Sequence, residues 1–221
     1  MTVYTLLLVD SGAEIIAFIL SIIFFKKLSF FLKIVAFQVS IATSMDVLGF
    51  YLKEFYVSNV PVYNIYLLFD CAILLYAVYY HLKPKINSML VLSVFGIYVL
   101  TWCFFMLKNG IHLFSIETYI FDSLILLVFY MTLFYYTMIN YKGSLLQLPE
   151  FWVCLGIILF YGCNIPYFSM VPYLRKNCTK EENRMIFNLI RVLVSLRYLL
   201  IATSFLLFYR QNRNQQTQHI S

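Results

Sequence analysis

The sequence predicts an all-α fold: a polytopic membrane helix bundle of seven transmembrane helices, running N-out to C-in. Two observations carry the fold class. Apolar residues make up 62% and charged residues only 12% of the 221 residues, against about 45–50% and about 25% in a soluble domain. These apolar residues also gather into continuous runs of spanning length, about 20 residues each, with most lysines in the short gaps between them. Barrel strands would alternate in segments of about ten residues, and soluble helices would keep a polar face. These runs do neither. Residues 1–210 are therefore expected to form one membrane domain, followed by a polar, flexible cytoplasmic tail over 211–221.

The spans follow in order. The first covers Tyr4 to Phe25 and is stopped by Lys26 and Lys27; the second covers Phe30 to Leu52, before Lys53 and Glu54. The third opens on Pro61, a favoured first-turn residue, and reaches Leu82. The fourth runs from Ile86 to Leu107, ahead of Lys108-Asn109-Gly110, and the fifth from His112 to Tyr141. The sixth starts after Pro149 and carries Pro166 near its far end; the seventh covers Met185 to Tyr209. The second and fifth runs are the most polar, which leaves six or eight spans as alternatives to seven.

Orientation follows from basic residues in short loops. With the N-terminus outside, Lys26, Lys27, Lys83, Lys85, Lys142, Arg210 and Arg213 are cytoplasmic. Lys53, Lys108 and a loop holding Arg175, Lys176, Lys180 and Arg184 are outside. The balance, seven against six, favours N-out.

Several activities are excluded by what the spans lack. The last span offers Arg191 and Arg197 but no lysine, so a retinal Schiff base has no partner. The three histidines, His81, His112 and His219, fall near span ends or in the tail, without metal-ligand spacing. No metal site and no cofactor is expected. No phosphate-binding loop or nucleophile elbow is present. The formal charge of +6 forms no stripe, so nucleic acid is not a partner. Five cysteines, an odd number with no CxxC pair, indicate no disulfide framework. No basic segment precedes the first run and no A-x-A-like site follows it, so a cleavable signal peptide is not expected.

The informative residues are the polar ones inside the spans, each costing roughly 2.5–3.5 kcal/mol if charged at the bilayer centre. Asp10, Glu14, Asn64, Tyr66, Asp70, Glu117, Asp122, Arg184, Asn188 and Arg191 lie in the first halves of odd spans. Asp46, Tyr161, Asn164 and Pro166 lie in the second halves of even ones. All of them therefore share one leaflet. Lys33 and Arg197 are the exceptions. Helical spacing places Asp10 with Glu14, Tyr63 with Tyr66 and Asp70, and Asn188 with Arg191 and Ser195, each on one face. The expected site is an outward-facing polar pocket lined by Glu14, Asp46, Asn64, Tyr66, Asp70, Asp122, Asn164, Asn188 and Arg191. Arg191 is expected to neutralise one or two carboxylates, Asp70 first. The competing reading is structural, since interhelical hydrogen bonds also hold membrane bundles together at about 0.6 kcal/mol each.

The segment Leu48-Gly49-Phe50-Tyr51-Leu52-Lys53, with Pro61-Val62-Tyr63-Asn64-Ile65-Tyr66, resembles a group of small, uncharacterised seven-span bacterial membrane proteins. So does Phe151-Trp152-Val153-Cys154-Leu155-Gly156-Ile157-Ile158-Leu159-Phe160-Tyr161, leading into Ile165-Pro166-Tyr167-Phe168. The resemblance implies a multi-pass protein of the bacterial inner membrane and supports seven spans. It implies no reaction. The functional expectation is a small-ligand or lipid sensing and binding module without its own output domain, whose partners are membrane lipids, a small molecule, and a membrane or cytoplasmic protein. The alternatives are an intramembrane enzyme acting on a lipid-like substrate through paired carboxylates (Asp46 with Asp70, or Glu14 with Asp122), and a small transporter or accessory subunit.

Overall fold

A computed structural model describes the backbone of residues 3–55, 58–83 and 85–218, with side chains described from residue 11 to 214 apart from 56, 57, 84, 175, 180 and 184. The described residues are helical almost throughout, in seven α-helices: α1 Val3–Phe24, α2 Phe30–Glu54, α3 Val60–Leu82, α4 Ser88–Asn109, α5 Ile116–Asn140, α6 Pro149–Asn177 and α7 Lys180–Gln218. Six of these, α2 to α7, are long and apolar enough to cross a membrane. The seventh, α1, has 22 residues. Large apolar side chains cover the outside, with Phe50 68%, Leu100 71% and Leu107 88% exposed. An apolar exterior on this scale needs a non-aqueous surround.

Helix boundaries follow local chemistry. Ser29 caps α2 by accepting from the Leu32 N–H at 3.4 Å, and Asn87 caps α4 by accepting from the Met89 N–H at 2.9 Å. Helix α4 stops at Gly110, whose φ of 79° lies in the left-handed region that glycine enters without strain.

Three boundaries differ from those expected. Helix α5 begins at Ile116 rather than near His112. Ser115 is its cap, accepting from the Thr118 N–H at 3.4 Å and sharing a 2.6 Å hydroxyl contact with Thr118. The expected Arg175 to Arg184 loop shrinks to Cys178 and Thr179, because α6 continues to Asn177 and α7 begins at Lys180. A reciprocal capping box makes this early start. The Thr179 N–H and hydroxyl donate to Glu182 Oε2 at 2.8 and 2.9 Å, and the Glu182 N–H returns a bond to Thr179 Oγ1 at 3.3 Å. The third difference is at the other end of α7. Helix persists through residues expected to form a flexible tail, up to Gln218. Gln211 donates to the Gln147 carbonyl and Asn212 to the Lys27 carbonyl, so the first residues of that segment dock on the bundle. Residues 219–221 lie outside the described residues.

The helices close into a ring. α1 packs on α2 and α7, α2 on α3, α3 on α5, α5 on α6, and α6 on α7. α4 lies outside this ring against α3 and α5, with Val91 and Tyr98 its buried residues. Helices α6 and α7 approach closely at Gly156. A Cβ on Gly156 would sit 3.2 Å from the Arg197 carbonyl oxygen and 3.3 Å from Leu200 Cβ. Helix α6 continues through Pro166 and Pro172, each of which removes one N–H from its ladder.

Candidate functional site

Asp70, halfway along α3, is the centre of a buried polar network drawn from four helices. Gln38 of α2 donates from Nε2 to Asp70 Oδ1 at 2.7 Å and to the Tyr66 hydroxyl at 2.9 Å. Tyr66, one turn before Asp70 on α3, donates to the same Oδ1 at 2.9 Å. Tyr161 of α6 donates its hydroxyl to Asp70 Oδ2. Arg197 of α7 brings Nη2 within 3.5 Å of Oδ1. Its guanidinium lies 4.7 Å from the Phe160 ring centre and 5.3 Å from that of Tyr161. Gln38, Asp70, Tyr161 and Arg197 are all at most 4% exposed.

The cation beside Asp70 is therefore Arg197 and not the expected Arg191. Arg191 is half-buried, packs over the Phe187 ring at 5.0 Å, and leaves Nη1 without a hydrogen-bond partner. The two arginines are six residues apart, which turns them about 120° from each other around the helix. Only one of them can face Asp70 from α7.

A second buried group lies on the α5 side. Asp122 is wholly buried, and neither carboxyl oxygen has a hydrogen bond of normal geometry. Its neighbour is the thiol of Cys71, a weak donor, and it lies within electrostatic range of Asp70. One turn away, Tyr119 accepts a 2.8 Å bond from Asn164 Nδ2, while Asn164 Oδ1 and Gln38 Oε1 are unpartnered. Tyr98, buried on α4, has an unpartnered hydroxyl as well.

Asn64 has a different task. Its Nδ2 donates to the carbonyls of Ile111 and Leu113 at 2.8 and 2.9 Å, and its Oδ1 accepts from the Ser115 N–H at 3.3 Å. The Trp102 indole donates to the Asn64 carbonyl at 2.8 Å. One side chain thus pins the loop between α4 and α5. Phe114 of that loop packs 5.9 Å from the ring centres of both Tyr119 and Phe168, which themselves meet at 4.3 Å. The loop closes this end of the ring, next to the Asn164–Tyr119 bond.

Of the expected lining, Tyr66, Asp70, Asp122 and Asn164 come together in the interior with Gln38, Tyr161 and Arg197. Glu14 is buried on α1, within electrostatic range of Tyr198. Asp46 is not in the interior. It is exposed on α2 and accepts from the Tyr63 hydroxyl at 3.2 Å. Asn188 is half-buried on α7. The side chains of Asp10 and Arg184 lie outside the described residues. Leaflet sorting left out Arg197, at the middle of its span, and Gln38, in the first half of an even span. The signal of Gln38 was present as an amide in an otherwise apolar stretch of α2.

The arrangement combines two carboxyls, one guanidinium, an amide pair and four tyrosines, Tyr66 half-buried and the rest buried, in the interior of the ring. No His, Cys, Asp and Glu cluster able to hold a metal occurs among the described residues. The network can hold a polar ligand, move a proton, or lock helices together. No protein-family model, curated protein or solved structure matches the chain.

Proposed function

We propose that the chain is a seven-span protein, N-out and C-in, of the bacterial inner membrane, whose buried polar centre is the binding site of a small-ligand or lipid sensing module. The observation that carries this reading is the set of under-satisfied groups in the centre: Oδ1 of Asn164 and Oε1 of Gln38 without a partner, and the Asp122 carboxyl with only the weak Cys71 thiol beside it. A buried polar atom left without a partner costs about 1–3 kcal/mol. A fold assembled only for stability gains nothing from several of them in one place. A ligand that donates hydrogen bonds there relieves that cost and shifts the bundle toward the liganded state, which is the free-energy source a sensor needs. Entry is from the outer end, under the loop that Asn64 pins and Phe114 seals. In this reading the site rearranges around Arg197 and Asp70 on α7 and α3, and α7, projecting beyond the bilayer, carries the change to a protein partner.

The test is native mass spectrometry of the protein in mild detergent, wild type beside Asp122→Asn and Arg197→Gln, with circular dichroism as the check on folding. A stoichiometric small molecule or lipid held by wild type and lost from either folded variant supports the site. If all three forms carry only exchangeable bulk lipid, the centre is structural and its open valences belong to water.

A further inference from the structure

At the opposite end of the ring, separate from the polar centre, a cleft of about 290 Å³ opens between the end of α3, the turn after it, the end of α5 and the start of α6. Its walls hold His81, Lys85, Tyr136, Thr137, Tyr141 and Glu150. We propose that this cleft binds a zwitterion carrying a phosphate and a primary ammonium, the chemistry of a phosphatidylethanolamine headgroup.

Size comes first. Pockets for drug-sized ligands begin at about 300 Å³, so this one suits a headgroup-sized occupant. Charge comes second. Lys85 and Glu150 both lie within electrostatic range of His81, yet among the described residues no ion pair joins Glu150 to either. Opposite charges placed around one cleft without closing on each other are arranged for a ligand that carries both signs. Lys85 is held in place rather than loose, its Nζ 4.6 Å from the Tyr136 ring centre. His81 is backed by Phe31, ring centres 5.2 Å apart. Thr137 Oγ1 is buried in this wall with no hydrogen-bond partner.

These groups sort by chemistry. Lys85 and His81 are donors for phosphate oxygens, and the Lys85 ammonium makes the strong, charge-assisted bond. Glu150 accepts from an ammonium, and a primary ammonium supplies three donors where a trimethylammonium supplies none. A phosphate-only headgroup would leave Glu150 facing an anion. Tyr136 and Tyr141 stand where amphipathic rings settle at the membrane boundary. An apolar cavity of about 360 Å³ flanks the same half of α3 on its α4 side, between Tyr79 and Phe95, and offers room for an acyl chain.

The experiment is native mass spectrometry of the full chain titrated with phosphatidylethanolamine, phosphatidylcholine and phosphatidylglycerol of matched acyl chains, on wild type, Lys85→Gln and Glu150→Gln. Wild type is expected to bind one phosphatidylethanolamine in preference to the other two. Lys85→Gln should weaken that binding roughly tenfold, the effect of about 1.4 kcal/mol. Glu150→Gln should erase the preference over phosphatidylcholine while leaving phosphate binding. Soluble glycerophosphoethanolamine decides the source: displacement of bound lipid at comparable concentration identifies a free zwitterion, and failure to displace identifies the lipid. Equal binding of all three lipids by wild type, or a preference untouched by both substitutions, overturns the proposal.

Discussion

Arg197 is a buried cation in direct contact with a buried carboxyl, Asp70. It is 4% exposed, 3.5 Å from a carboxyl that also takes bonds from Gln38, Tyr66 and Tyr161. Removing one member of a buried pair strands the other, at a cost of about 3–5 kcal/mol, whereas removing both is far less harmful. Arg197→Gln is therefore expected to lower unfolding free energy in detergent by about 3–5 kcal/mol, and Asp70→Asn added to it to recover part of the loss. Strictly additive losses in this double-mutant cycle would show that the two residues are not coupled. Asn64 makes a second residue-level prediction. With both amide hydrogens and its oxygen committed to residues 111–115, Asn64→Ala should cost about 1–3 kcal/mol. Hydrogen exchange should then rise at the amides of that loop, with α7 unaffected; unchanged protection there would mean that Phe114 packing alone holds the loop.

At the scale of elements, close approach of α6 and α7 sets the position of Arg197. Gly156 faces backbone on α7, and backbone cannot move aside as a side-chain tip can. Gly162, by contrast, meets only a Leu127 methyl at 3.8 Å. Gly156→Ala is expected to destabilise by roughly 1–3 kcal/mol through overpacking, and Gly162→Ala to be tolerated. Thermal unfolding of the two variants side by side checks this, and equal melting points would show that α6 and α7 have slack. Existence of the elements was legible in sequence from run length alone. Their ends were less so, for a definable reason. Thr179-Lys180-Glu181-Glu182 has the spacing of a capping box, but read as a charged loop it hid five residues of α7. Similarly, Gln211 and Asn212 look like tail until their carbonyl partners at Gln147 and Lys27, distant in sequence, are brought beside them.

For the whole molecule, the proposed orientation gives a direct expectation. In a cysteine-free background, Lys108→Cys should react with a membrane-impermeant maleimide in intact cells, and Lys142→Cys only after the inner face is opened. The reverse pattern would invert the bundle, and with it the outer entrance proposed for the site. Composition and span length, which are properties of a linear string, determined the class: all-helical, with several helices long and apolar enough to cross a membrane. They also marked Tyr66, Asp70, Asp122 and Asn164 as residues too costly to face lipid. Rotation of each helix about its own axis is what the tertiary structure decided. A helix apolar on nearly every side has no face that declares itself as inward, so spacing relates Arg191 to Arg197 without saying which one meets Asp70. In the assembled bundle Arg197 lies at the close contact of α7 with Gly156 and faces inward to Asp70, Asp46 stays at the surface with Tyr63, and Gln38 reaches Asp70 from the first half of α2.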